Sequence, residues 1–168
     1  MDLLVKSSVL IRAIVLAIAA SVFALDRWTK WLVETTFSPF DTKIVIPGFF
    51  SIVRSENAGV AFGLFSESTS QYRTTALILF SVAAVAVLAW MLWRVDRLDR
   101  FTAIGLALIF GGALGNVFDR VRSGVVTDFL DFYAGNVHWY TFNIADSAIC
   151  VGAGLLLFAM WAKPKHAA

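Results

Sequence analysis

The sequence predicts an integral membrane protein, mainly α, with four transmembrane helices and a small β-sheet on one side of the bilayer. Three observations lead there. The 168-residue chain is 59% hydrophobic and only 15% charged, whereas soluble domains carry about 25% charged residues. Four stretches approach the roughly 20 apolar residues needed to cross the hydrocarbon. The long connection between the first two is dense in β-branched and aromatic residues, which strands favour. One membrane-embedded domain over residues 1–168 accounts for a chain of this length.

The first span is Ser8–Leu25, interrupted only by Arg12, and its helix is expected to run on through Asp26, Trp28 and Lys30. Taken alone, it also has the look of a cleaved signal peptide with Lys6 and Arg12 as the basic flank, but no convincing cleavage site follows. The second span, Thr74–Trp93, and the third, Phe101–Phe118, contain no charge. The fourth, Phe142–Ala162, contains only Asp146. Basic residues flank the start of the first span, crowd the link between the second and third (Arg94, Arg97, Arg100) and follow the fourth (Lys163, Lys165). The positive-inside rule places these regions, and hence both termini, in the cytoplasm.

The connections Glu34–Arg73 and Asp119–Thr141 then face outward. In the first, strands are expected from about Lys43 to Arg54 and around Val60–Leu64, with turns at Pro47-Gly48 and Ala58-Gly59. Open sheet edges do not face hydrocarbon. The sheet should therefore rest at the outer interface, with Phe49, Phe50, Phe62 and Phe65 dipping toward lipid.

Several chemistries are excluded early. A lone cysteine, Cys150, allows no intrachain disulfide and no multi-cysteine zinc site. His138 and His166 are too few and too scattered for a histidine-based metal centre. A net charge of +2 without a long basic block argues against nucleic acid. No cofactor is expected.

What remains is a set of polar residues beside apolar helices, where a charge costs roughly 2.5–3.5 kcal/mol at mid-membrane and less near an end. Asp26 and Lys30 are four apart and share a helical face; an interfacial ion pair would explain them. Asn57 lies in "SENAGVAFG", as a turn residue or as a peptide-binding amide. Asn116, Asp119 and Arg120 lie near one face at the end of the third span, where Gly111, Gly112 and Gly115 permit close backbone approach. Asn143 and Asp146 open the fourth span at three-residue spacing, although a helix cap needs only one of them.

Two aspartates brought together from the last connection and the fourth span would share one proton, because adjacent carboxylates do not both ionise readily. The ionised one draws a proton from water, and the neutral one polarises a scissile carbonyl. No serine, cysteine or histidine constellation offers a better route: Ser123 and Ser147 have no histidine in register, and His138 is in a loop. Asp131 has no assigned chemistry in this scheme and is expected at the interface.

These motifs together resemble bacterial lipoprotein signal peptidase (signal peptidase II). The resemblance covers nearly the whole chain through "DRWTK", "NAGVAFG", "GGALGNVFDRVRSGVVTDFLDF" and "FNIADSAI", in matching order and spacing. It implies an intramembrane aspartyl endopeptidase of the inner membrane, acting as a monomer. Its substrates would be prolipoproteins carrying diacylglycerol on the lipobox cysteine, cut just before that cysteine at the outer face. It also implies a periplasmic β-sheet cradle and a short amphipathic helix; Glu67–Tyr72 or Phe129–Tyr133 are the candidates for part of that surface. Motif matching assigns the catalytic pair to Asp128 and Asp146, with Asp119 as the competing first partner. Asn57, Asn116, Asp119, Arg120 and Asn143 match positions that hold substrate or shape the site, and Asp26 and Lys30 match the family's pair on the first helix. Ala58, Val60 and Tyr140 depart from the common pattern without touching the chemistry.

Two other classes compete. A proton-coupled transporter or channel subunit would use Asp128 and Asp146 as relays, but it calls for acidic groups near mid-membrane, and here they cluster at one end. A metal-dependent transferase would use the aspartates as Mg²⁺ ligands and would lose activity in excess chelator.

Overall fold

The computed structural model describes residues 2–59 and 70–162. The elements follow in the order α1 (Asp2–Thr36), β1 (Thr42–Ile46), β2 (Phe50–Asn57), α2 (Ser70–Trp93), a 3-10 turn (Val95–Arg97), α3 (Arg100–Ser123), β3 (Val126–Ala134), β4 (Val137–His138) and α4 (Ile144–Ala162). Among the described residues, four helical stretches are long and apolar enough to cross a membrane: Val9–Thr36, Thr74–Trp93, Arg100–Ser123 and Ile144–Ala162. The first runs well past Leu25 and the third past Phe118. Asp26, Lys30 and Asp119, which lie beyond those points, are buried against neighbouring helices, so they do not end the helix. Exposed apolar side chains such as Leu16, Leu79, Phe80, Val87, Leu157 and Met160 cover the outside, as expected of surface that meets lipid.

Helix α3 packs against α1, α2 and α4. Its small residues make that possible. A Cβ added at Gly111 would fall 2.5 Å from the Ala19 carbonyl oxygen of α1, and one at Gly105 would fall 2.8 Å from the Gly152 carbonyl oxygen of α4. At Gly112 it would collide with the Ala145 carbonyl, and at Gly115 with the Asp26 carboxylate. Backbones this close gain dense packing, which drives helix association in lipid.

The helix ends are finished by side chains. Asp99 caps α3 by accepting from Thr102 N (3.0 Å). Gly124 ends α3 in the left-handed region, φ 80°, and donates to the Arg120 carbonyl (3.0 Å). Arg54 of β2 donates to the carbonyls of Glu34 (3.1 Å) and Phe37 (2.9 Å) at the end of α1, satisfying groups the helix leaves unpaired.

The sheet is antiparallel throughout, in the order β1-β2-β3-β4. Pro47-Gly48 makes the first hairpin turn: Gly48 takes φ 77°, and Phe49 N donates to Ile46 O (3.1 Å). Strand β3 contains Phe129–Tyr133, one of the two candidates for the cradle-and-helix surface, as part of the sheet. Its first four residues are all buried, so it lacks the in-out alternation that marks a half-buried strand. Phe50 stacks on Phe132 (4.7 Å), and Phe132 on Phe142 (5.8 Å), so Phe50 is part of an aromatic stack within the protein. The strand expected at 60–64 with Phe62, and Phe65 and residues 67–69, lie outside the described residues, while Ser70–Tyr72 belong to α2.

One backbone contact sets the geometry of everything below. Phe142, just before α4, accepts from Phe129 N (3.0 Å) and Leu130 N (2.8 Å) and donates to Leu130 O (3.1 Å). This pairing folds the chain back so that the start of α4 meets the middle of β3.

Candidate active site

The residue after Phe142 is Asn143, fully buried at 0% exposure. It is the N-cap of α4. Its Oδ1 accepts from Asp146 N (2.9 Å), while Asp146 Oδ2 accepts from Asn143 N (3.3 Å). This is a reciprocal capping box, which satisfies two donors at once. The two polar residues at three-residue spacing are therefore both used in the cap. The box leaves Asn143 Nδ2 free to donate to Asp128 Oδ1 (2.7 Å). One asparagine thus holds both aspartates, one through its side-chain amide and the other through its backbone and Oδ1.

Each carboxylate has a second amide donor. Asp128, on β3 and 2% exposed, accepts from Asn57 Nδ2 (3.0 Å). Asn57 also turns the chain, its Oδ1 accepting from Gly59 N (2.7 Å), so the turn and the contact coexist. Asp146 Oδ1 accepts from Asn116 Nδ2 (2.8 Å). Burial pushes the Asp128 carboxyl from 3.8 up to about 6. The Asn57 amide opposes that push, the nearby charge of Asp146 adds to it, and the Asn143 amide and Lys30 oppose it more weakly.

Beneath this pair lies a second polar layer. Lys30 is 0% exposed, with Nζ 2.8 Å from Asp26 Oδ2 and 2.7 Å from Asp119 Oδ2. It also donates to Asn116 Oδ1 (3.0 Å). Asp26 accepts from Ala145 N (2.9 Å), so α1 helps to cap α4. Asp119 also pairs with Arg27, whose guanidinium lies 4.7 Å over the Phe118 ring. Two carboxylates and two cations balance, as buried charges require. The Asp26–Lys30 ion pair is therefore formed, and it is buried among the helices.

Asp128 opens on a cleft of about 710 Å³ lined also by Asn57, Gly59, Leu77, Arg120 and Tyr140, among others. Arg120 is electrostatically close to Asp146, Asp128 and Asp119 and contacts its own helix only through a long bond to Asn116 O (3.4 Å). All nine residues singled out from the sequence thus fall in one connected cluster. Asp119 is committed to its two cations, Lys30 and Arg27.

Other placements were not foreseen. Asp131, expected at the interface, is buried at 5% exposure, accepting from Ser51 Oγ (2.8 Å) and facing His138 Nδ1 (3.0 Å). Glu34 accepts from Thr127 Oγ1 (2.8 Å) and pairs with Arg122 (3.3 Å), tying α1 to β3 and to the end of α3. Nothing in their local sequence marks Arg27, Glu34 or Thr127, because their partners are about 90 residues away. Ser123 and Ser147 donate to carbonyls of their own helices, Asp119 O and Asn143 O (both 3.0 Å).

The Signal peptidase (SPase) II family model matches residues 18–162. The lipoprotein signal peptidase of Solibacter usitatus is 59% identical over 90% of this chain and 92% of its own. That of Nitratidesulfovibrio vulgaris is 44% identical over 90% and 92%. A bacterial membrane enzyme solved in meso at 2.3 Å superposes with a TM-score of 0.77 at 29% identity, covering 93% of this chain and 95% of its own. The transporter alternative finds no support among these relatives.

Proposed function

Because the chain belongs to the signal peptidase II family and is a multi-pass membrane peptidase, we propose that Asp128 and Asp146 are its catalytic pair and that it removes signal peptides from diacylglyceryl-modified prolipoproteins. The observation that carries this reading is Asn143, which holds both carboxylates, with Asp128 lining an open cleft. Asp119 has no such position, since its charge is already answered by Lys30 and Arg27.

The chemistry follows from one proton on two carboxyls. Burial and the neighbouring charge raise the Asp128 carboxyl to about 6, which suits it to the acid role in this scheme. Ionised Asp146 takes a proton from a water, and the resulting hydroxide adds to the scissile carbonyl while Asp128 donates its proton to the carbonyl oxygen. Collapse of the tetrahedral adduct breaks the C–N bond, with a carboxyl returning a proton to the leaving amine. Asn57 and Asn116 keep both carboxyls oriented, and Arg120 faces the cleft to position the peptide. The protein works as a single membrane-embedded domain and as a monomer in the bacterial inner membrane. Both termini are cytoplasmic and the cleft lies at the outer face, where a lipidated peptide meets water.

The test is cleavage of a lipidated precursor. Asp128→Asn and Asp146→Asn each lower turnover by roughly 10²–10⁴-fold or more while the protein stays folded. Full activity in either variant overturns the assignment. A dead Asp119→Asn beside an active Asp128→Asn would move the first role to Asp119. Rapid cleavage of an unlipidated precursor would overturn the substrate class.

A further inference from the structure

Far from the aspartates, the other end of the bundle carries a second concave site. Arg12 is 14 residues before Asp26 on α1, about 21 Å along the helix. There it meets the end of α2 and the 3-10 turn. A pocket of about 560 Å³ is lined by Arg12, Trp90, Trp93, Arg94, Asp96 and Arg97. A narrower groove of about 250 Å³ adjoins it, walled by apolar residues that include Val15, Leu16, Ala89 and Phe110. Arg12 and Trp93 line both. A charged chamber therefore leads directly into an apolar one.

The charges do not cancel. Asp96 is paired with Arg12. Among the described residues neither Arg94 nor Arg97 takes part in an ion pair. The pocket keeps an excess of two positive charges. Arg94 is held with its guanidinium 4.6 Å over the Trp90 ring, which fixes its plane while leaving its N–H groups to an acceptor. Trp90 and Trp93 are 58% and 77% exposed at the end of α2, and tryptophans at the ends of membrane helices favour the lipid headgroups.

We infer that this is a binding site for one anionic phospholipid of the surrounding leaflet, with its phosphate on Arg94 and Arg97 and one acyl chain in the groove between α1 and α2. A guanidinium pair matches phosphate oxygens in geometry as well as charge. A zwitterionic lipid brings its own cation and cannot answer the excess charge. A soluble phosphate leaves the groove unfilled. Arginines that serve only to orient the helices would show no such selectivity.

Native mass spectrometry of the full-length protein from neutral detergent at low salt tests this, with equimolar phosphatidylglycerol and phosphatidylcholine of matched chains. The expected result is one retained phosphatidylglycerol, preferred roughly tenfold or more, and not displaced by inorganic phosphate. In the double variant Arg94→Gln/Arg97→Gln the preference should fall below about twofold. Ala89→Trp, which fills the groove, should lower retention of both lipids. Equal retention of the two lipids by the unaltered protein overturns the proposal, and so does displacement by inorganic phosphate. An undiminished preference in the double variant, or unchanged retention in Ala89→Trp, also overturns it.

Discussion

Asn143 joins roles that are usually separate: it caps α4, holds Asp146 through the capping box and donates to Asp128. Serine is also a good N-cap but has no second amide hydrogen. Asn143→Ser should therefore keep thermal stability within about 1 kcal/mol while lowering turnover of a lipidated precursor by roughly 10–100-fold. Losing that donor also raises the Asp128 carboxyl further, so the basic limb of the pH–rate profile should move upward. An unshifted profile with full turnover would reduce Asn143 to a cap. Lys30 differs in kind. Replacing it by methionine removes the cation shared by Asp26 and Asp119 and leaves Arg27, which pairs with Asp119, to answer both charges. Lys30→Met should destabilise the protein by about 3–5 kcal/mol, read by thermal unfolding in micelles.

The functional geometry depends on how closely α3 approaches its neighbours. Gly115 leaves the space that the Asp26 carboxylate occupies, and Asp26 in turn caps α4 at Ala145. Gly115→Ala drives a methyl into that carboxylate and should cost about 1–3 kcal/mol. Gly154 on α4 is the internal contrast, since a Cβ there meets nothing within 4 Å. Gly154→Ala should be neutral or stabilising by about 0.5–1 kcal/mol, because alanine gives up less freedom in a helix. Similar losses in both variants would mean that propensity, and not packing, governs this bundle. At the same scale, β3 was the element least legible in the sequence. "VTDFLDFYA" alternates poorly because both of its faces are covered where it begins.

Across the whole molecule, the Asp128 carboxyl makes stability depend on pH. The Asp128 carboxyl titrates at about 6 in the folded protein against 3.8 ordinarily. Between those values the folded state keeps a proton that the unfolded chain has released, so this group's contribution to stability falls as pH rises from about 4 to 6. The gap corresponds to about 3 kcal/mol, fully lost above the higher value. Asp128→Asn should flatten this part of the pH–stability curve, in unfolding measurements from pH 4 to 7. A slope unchanged in the variant would place the titration elsewhere.

The sequence by itself determined the four spans, the first hairpin with its Pro47-Gly48 turn, and the identity of the polar residues that apolar helices must not carry idly. These are legible because hydrophobic length and turn chemistry act over a few neighbouring residues. Tertiary structure alone decided which polar residues meet. Phe142 pairing with Leu130 sets Asn143 against Asp128, and Asp119 is turned inward to Lys30 and Arg27. It also buried Asp131 against Ser51. A carboxylate's role depends on its partners and its access to water, and both are set by contacts between residues far apart in the chain.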